Sequence, residues 1–192
     1  AVRSVEETIA AMKSGVDVIT QATMRNGQWL GRADVLQRVN QPGNLGGWSY
    51  EVYDCKLARE TKAETVLQLS LYSDLLEKIQ GILPEHMYVV TPGTGFKPEE
   101  YRVAEFAAYY RQVKSELEQA VRQSNGHLAT YPEPNPHCEV CRWWRECDAR
   151  WRSDDHLSLV AGITRLQRKQ LLAWEVPTVG ALASLPIPLQ NR

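Results

Sequence analysis

The sequence has almost no excess of either charge, since 22 lysine and arginine residues face 23 aspartate and glutamate residues, for a formal net charge of −1 at pH 7. This balance excludes the broadly basic surface of a histone-like protein, so any contact with nucleic acid must come from local basic patches. Apolar runs of about 18 residues are also missing, which predicts that nothing spans a membrane. No secretory signal, internal repeat or low-complexity segment is visible.

What the sequence does contain is enough apolar material for a core. With 192 residues, 43% of them hydrophobic, the chain fits one domain with a small appendage. It opens at Ala1 rather than at methionine, and residues 3–12 already have helical character. We therefore expect an upstream portion of the parent protein.

Cysteine is scarce and unevenly distributed. Cys138, Cys141 and Cys147 lie within ten residues of one another, whereas Cys55 stands alone in a predicted strand. This pattern is typical of metal ligation in a reducing compartment rather than of a disulfide framework. It predicts a cytoplasmic protein with a metal-binding cysteine segment.

The hydrophobic pattern predicts both strands and helices. Three segments with strand character form a predicted antiparallel meander: residues 16–22, 29–39 and 48–57. Three segments have helical periodicity: residues 4–14, 60–80 and 98–123. A fourth strand is predicted over residues 87–90. Two further helices are predicted in the tail, with Thr178 as the N-cap of the second.

Two of the predicted strands carry carboxylates that could meet. Side chains alternate along a strand, so Asp54 and Lys56 share a face, and an antiparallel neighbour brings Asp34 alongside them. Two carboxylates and a backbone carbonyl, that of Cys55, suit a hard cation such as Mg²⁺ or Mn²⁺. Such a cation lowers the pKa of bound water and polarises a phosphoryl oxygen, while Lys56 positions the nucleophile or stabilises the transition state. The pattern predicts phosphodiester hydrolysis.

The simplest alternative is an ordinary ion pair on an edge strand, because aspartate and lysine two residues apart are a common pattern. Three features favour the site. Asp54 and Lys56 interrupt an otherwise apolar strand, and Gly31 would let a ligand approach the backbone. Gln68 and Tyr72 are four residues apart on the next helix, where they face the same side.

These motifs together resemble a known family. The order G-x-x-D, D-x-K and Q-x-x-x-Y is similar to the RecB-like branch of the PD-(D/E)XK nuclease superfamily over roughly residues 30–75. The proline-rich stretch from Tyr131 and the cysteine segment after His137 resemble a bacterial group of RecB-family nucleases. The resemblance implies an α/β fold, a restriction-endonuclease-like mixed sheet flanked by helices, with a cysteine-bearing arm and a helical tail.

The resemblance also implies roles for individual residues. Asp34 and Asp54 would bind the metal, and Lys56 would be the catalytic lysine. Gln68 and Tyr72 match the additional helix motif, which supports the site or contacts DNA.

The first motif of the superfamily, an acidic or histidine residue on an N-terminal helix, has no clear match. Glu6 and Glu7 are candidates by position. The alternative is a residue upstream of Ala1.

The cysteine segment resembles that of AddB-type and CRISPR-associated nucleases, which implies a [4Fe–4S] cluster held by Cys138, Cys141 and Cys147 with a fourth cysteine before the start of this chain. Zinc with a remote histidine ligand, His127 or His156, and unliganded reduced thiols remain alternatives. Cys55 is a poor fourth ligand, because alternation places it on the sheet face opposite Asp54.

We expect residues 1–152 to form the nuclease core with its cysteine cluster, and residues 153–192 to form a helical tail or a linker to a further domain. The predicted function is metal-dependent hydrolysis of DNA, exonuclease-like on free ends or single strands, because no element that reads a base sequence is visible. The alternative is a non-catalytic nucleic-acid-binding or scaffolding domain with a structural zinc or iron–sulfur site.

Overall fold

The computed structural model describes residues 4–123 and 131–186. The chain divides between residues 128 and 129 into two compact units. The predicted domains, 1–152 and 153–192, stay a prediction.

The first unit is a mixed sheet with helices packed against it. Its elements follow in the order α1 (Val5–Lys13), β1 (Val18–Asn26), β2 (Trp29–Val39), β3 (Ser49–Cys55), α2 (Ala63–Gln80), β4 (His86–Val90), β5 (Pro98–Arg102) and α3 (Val103–Gln123). The strands lie in the order β1-β2-β3-β4-β5, and every pair is antiparallel except β3 and β4, which are parallel. This arrangement confirms the predicted α/β fold class and the meander.

Local sequence explains where several elements begin and end. Ser4 caps α1, since its side chain accepts the N–H of Glu7. The turn between β1 and β2 has Gly27 at a φ of 58°, and α2 ends at Gly81 with a φ of 74°. Glycine reaches such angles without the cost that a side chain brings.

The helix predicted over residues 98–123 is wrong in its first turn. Residues 98–102 form strand β5, and the helix begins at Val103. Pro98 can start an edge strand because it has no N–H to donate. Glu99 and Tyr101 are half-buried while their neighbours are exposed, which is the alternation of a strand. The free edge of β4 supplies the partner that sequence alone does not reveal.

The core of the first unit lies between the sheet and α2. Leu69 and Leu76 of α2 are fully buried, as are Tyr50 and Val52 of β3. Because side chains alternate along a strand, Tyr50 and Val52 lie on the same face of β3, and the next residue on that face is Asp54. The apolar face of β3 therefore leads directly to a carboxylate.

The second unit is helical. It contains a 3-10 turn at Pro136–Val140, α4 (Trp144–Ser153), a 3-10 turn at Leu157–Leu159, α5 (Arg165–Ala173) and α6 (Val179–Ala183). Thr178 accepts the N–H of Ala181 at 3.0 Å, so the predicted cap of the last helix is confirmed. Leu157, Leu171 and Val176 form a small apolar core. Across the described parts of both units, no helix is long and apolar enough to cross a membrane.

Candidate active site

Asp34 lies where β2 and β3 stop pairing. The backbone ladder of these strands runs from Val39 and Ser49 to Val35 and Tyr53. One residue further along, Oδ2 of Asp34 accepts the backbone N–H of Cys55 at 2.8 Å. A side-chain carboxylate thus takes the place of a backbone acceptor at the carboxyl end of β3.

Asp54 is buried beside this carboxylate on the core-facing side of β3. Its Oδ2 is 2.7 Å from Nζ of Lys56, close enough for an ion pair. The contact lacks hydrogen-bond geometry, and no other described residue donates a hydrogen bond to this buried oxygen. Burial raises the pKa of Asp54, Lys56 opposes that effect, and the charge of Asp34 adds to it. A positive charge beyond Lys56 would stabilise the ionised carboxylate.

Lys56 is held by the helix that follows. Its Nζ donates to Oε1 of Gln68 at 3.0 Å, and Nε2 of Gln68 donates to Oη of Tyr72 at 2.6 Å. The spacing of four residues places both side chains on one face of α2. The structure therefore brings Lys56, Gln68 and Tyr72 into one continuous hydrogen-bonded chain. The pair of Asp54 and Lys56 does not lie on an edge strand, because β3 is the central strand of the sheet.

Gly31 serves packing rather than ligand approach, so that prediction is corrected. A Cβ atom at this position would lie 2.7 Å from Cδ1 of Tyr72 and 2.8 Å from Cδ1 of Leu75. No side chain fits between β2 and α2 at such distances. The absence of a side chain at Gly31 leaves room for the ring of Tyr72, whose hydroxyl oxygen accepts the hydrogen bond from Gln68.

Gln21 belongs to the site although it was not predicted. Its Nε2 donates to Oδ1 of Asp34 at 3.2 Å, and its backbone φ is 51°. One sequence signal exists, because the apolar residues Ile19 and Ala22 are three apart where a regular strand would place them two apart.

Comparison with known proteins decides the family. The family model described as the PD-(D/E)XK nuclease superfamily matches residues 5–148 of the 192-residue chain. The chain belongs to the PD-(D/E)XK nuclease superfamily. Members of this superfamily are generally metal-dependent nucleases that use Mg²⁺ or Mn²⁺.

The chain also has a weak similarity to a solved structure. One solved structure similar to the chain is that of SSO0001, with 19% sequence identity and a TM-score of 0.36. The match covers 73% of this chain and 64% of that one, so the chain spans less than two thirds of its length. Among curated proteins, none matches the chain.

The residues present fit the cation that the PD-(D/E)XK superfamily implies. Asp34 and Asp54 offer carboxylate oxygens, the ligands that Mg²⁺ prefers. Among the residues that the structure describes, no donor forms a hydrogen bond with the buried Oδ2 of Asp54, and each oxygen of Asp34 accepts one hydrogen bond. No group of three or more His, Cys, Asp or Glu side chains in the described ranges is arranged to hold a metal. A cation here would depend on two carboxylates, backbone oxygen and water.

The candidates for the first superfamily motif lie on the exposed first turn of α1. Glu7 accepts the N–H of Ser4 at 2.7 Å, so its carboxylate completes the cap of the helix. Glu6 is exposed in the same turn. Their assignment to the motif stays a prediction.

The cysteine segment places Cys138 and Cys141 at one 3-10 turn and Cys147 on the helix that follows. Cys138 lies in the 3-10 turn and its carbonyl accepts the N–H of Cys141 at 3.2 Å, while Cys147 lies on α4. The pKa of the Cys147 thiol is raised by desolvation and then by the charges of Cys141 and Cys138. All four cysteines of the chain are free. Within the described residues, the three thiols do not form a ready-made metal site.

The proposed histidine ligands for zinc have different outcomes. Nδ1 of His156 accepts the N–H of Ser158 at 3.2 Å and caps the second 3-10 turn. His127 lies outside the described residues. Whether the segment binds zinc, a cluster or nothing stays a prediction.

Proposed function

We propose that this protein is a metal-dependent deoxyribonuclease that degrades DNA from free ends or as single strands. The observation that carries the proposal is the placement of Lys56, whose Nζ lies 2.7 Å from Oδ2 of Asp54 and 3.0 Å from Oε1 of Gln68. A lysine fixed between a buried carboxylate and a helix amide can present its charge at a defined point beside Asp34.

The residues divide the chemistry between them. Asp34 and Asp54 would hold Mg²⁺ or Mn²⁺, assisted by the carbonyl of Cys55. The bound cation supplies an acidified water and polarises the phosphoryl oxygen. Lys56 would stabilise the negative charge on the oxygens around phosphorus in the transition state, or position the attacking water. Gln68 and Tyr72 hold the lysine in place. Lys56 donates a hydrogen bond to Gln68, and Gln68 is itself oriented by its hydrogen bond to Tyr72.

The proposed preference for ends or single strands rests on the lack of a visible element that reads a base sequence. The groups of the site are suited to the phosphodiester backbone, which is the same for every sequence. Nothing in the sequence predicts a helix that reads base edges. Degradation of the polymer is therefore favoured over cleavage at a specific sequence.

The assay compares the wild type with Asp54→Asn and Lys56→Ala on single- and double-stranded DNA, with Mg²⁺, with Mn²⁺ and with a chelator. We expect metal-dependent degradation by the wild type and a loss of about 100-fold or more in each variant, because the transition state loses charged partners. Lys78→Ala is the matched control, since Lys78 is an exposed lysine of α2 paired with Glu77. Equal degradation by all four proteins would exclude catalysis at this site.

A non-catalytic domain is the second candidate. The cysteine segment is compatible with this alternative, because a structural metal bound there would stabilise the fold without any catalysis. DNA that is bound by the wild type but left intact with either metal would support this alternative.

We also propose that the cysteine segment binds a [4Fe–4S] cluster, with zinc as the alternative, in a reducing cytoplasm. The positions of Cys138 and Cys141 at one 3-10 turn and of Cys147 on the following helix support the proposal, and a fourth ligand must come from elsewhere. Anaerobic purification should give a brown protein with visible absorption. A colourless protein with stoichiometric zinc would identify the alternative, and one with neither would indicate free thiols.

A further inference from the structure

The alternation of buried and exposed side chains along β1 is interrupted at Gln21, which lies directly opposite Asp34 of β2. Ile19 and Ala22 are both fully buried although two residues separate them. The residues that face them on β2 show the same spacing, while the register on both sides stays constant. Each strand therefore contains one residue beyond the regular alternation, and these two residues are Gln21 and Asp34.

The backbone of Gln21 is in the left-handed region, with a φ of 51°. This conformation is unfavourable for a residue with a side chain and easy for glycine. When a residue with a long side chain adopts this strained conformation, we expect its side chain to make a contact that glycine could not make. Here that contact is the hydrogen bond from Nε2 to Oδ1 of Asp34, at 3.2 Å.

The carboxylate of Asp34 is thereby held from both neighbouring strands. Gln21 of β1 bonds Oδ1, and the backbone N–H of Cys55 of β3 bonds Oδ2 at 2.8 Å. Both donors are neutral, so they orient the carboxylate without cancelling its charge. Each oxygen keeps lone pairs with which it can bind a cation.

We propose that Gln21 is a positioning residue, which fixes the carboxylate of Asp34 in the orientation that binds the divalent cation. The inference rests on the proposed function, because that function makes Asp34 a metal ligand. Groups that orient metal ligands in this way commonly change metal affinity by about 10- to 100-fold.

The test uses Gln21→Gly, which removes the amide and relieves the backbone. Calorimetric titration with Mn²⁺, without DNA, should show binding weakened by about 10-fold. The melting temperature should equal or exceed that of the wild type, because glycine adopts a positive φ without the strain that a side chain brings. In the DNA assay, kcat at limiting Mn²⁺ should fall, recover as Mn²⁺ is raised, and leave the KM for DNA unchanged. A merely structural residue would not give this metal-dependent recovery.

Two companion variants make the result decisive. Gln21→Asn keeps an amide that tolerates a positive φ but shortens its reach, so it should weaken Mn²⁺ binding at unchanged stability. Gln37→Ala is the control, since Gln37 is a glutamine of β2 whose amide bonds the backbone oxygen of Asp17. It should bind Mn²⁺ like the wild type.

The outcomes separate this inference from the proposed function. Wild-type Mn²⁺ affinity in a folded Gln21→Gly protein would overturn the inference, as would loss of the fold in both Gln21 variants. If Gln21→Gly alone unfolds, wild-type affinity in Gln21→Asn overturns it. If the wild type binds Mn²⁺ but degrades no DNA, the proposed function fails, and weaker binding in the variants still supports the role of Gln21. No Mn²⁺ binding by the wild type would defeat both.

Discussion

Lys56 donates a hydrogen bond of 3.0 Å to Gln68, a residue twelve positions later on the neighbouring helix. The bond joins the end of the central strand to the first half of α2. Because Gln68 also donates to Tyr72, the lysine is held by a side chain that is itself held. Precision of this kind is what charge stabilisation requires.

Gln68→Ala should therefore impair catalysis more than folding. Loss of the amide frees the lysine, and we expect kcat to fall by about 10- to 100-fold with little change in KM. The free energy of unfolding should change by less than about 1 kcal/mol, since Gln68 is only partly buried. Steady-state kinetics and urea denaturation measure the two effects. Gln112→Ala, an exposed glutamine of α3, should leave both unchanged, and an equal loss in that variant would contradict the assignment.

Gly31→Ala should destabilise the protein by about 1–3 kcal/mol, because the new methyl group would collide with Tyr72 and Leu75. Urea denaturation gives the value. Gly47→Ala is a matched control, since nothing lies within 4 Å of a Cβ at that position. Similar stability of the two variants would show that β2 and α2 do not pack this closely.

The pH dependence of stability should reflect Asp54. Its pKa is raised in the folded state, chiefly by burial, so at intermediate pH the folded protein binds more protons than the unfolded chain. This contribution to stability is complete below the ordinary aspartate pKa of about 3.9 and is lost as the pH rises through the folded value. Asp54→Asn should thus gain stability relative to the wild type between about pH 4 and the folded pKa.

Thermal unfolding across this range, without metal and with Mn²⁺, measures the effect of Asp54. Bound Mn²⁺ should reduce the difference between the two proteins, because the cation stabilises the ionised carboxylate. A difference independent of pH would show that Asp54 titrates normally.

Gln80→Leu should be strongly destabilising, by about 2–4 kcal/mol, since a buried pair of backbone groups loses its partners. Gln80 is fully buried, accepts the N–H of Tyr50 at 2.8 Å and donates to the carbonyl of Tyr50 at 3.2 Å. Chemical denaturation measures the loss. Full stability of this variant would mean that Tyr50 finds other partners.

The sequence predicted the part of the site that depends on simple periodicities. Alternation along β3 placed Asp54 and Lys56 on one side, and the four-residue helical repeat placed Gln68 and Tyr72 together. Both periodicities are local, so they survive in a single sequence without knowledge of the fold.

The sequence could not predict features that depend on tertiary neighbours. Pro98 and the glutamates after it match a helix start as well as an edge strand, and only the free edge of β4 selects the strand. Gly31 was identified as a point of close approach, but its neighbour is Tyr72 rather than a ligand. The positive φ of Gln21 has no signature in residue type.

The bond between Asp34 and the backbone of Cys55 has a consequence for how mutants are interpreted. Asp34 is the proposed metal ligand and also accepts a backbone hydrogen bond of the sheet. Replacing it with alanine would remove the proposed ligand and leave the N–H of Cys55 without its acceptor. Loss of activity in Asp34→Ala would therefore not distinguish the loss of a metal ligand from damage to the sheet. Asp34→Asn keeps an acceptor for the peptide and removes the charge, which makes it the informative substitution at this position.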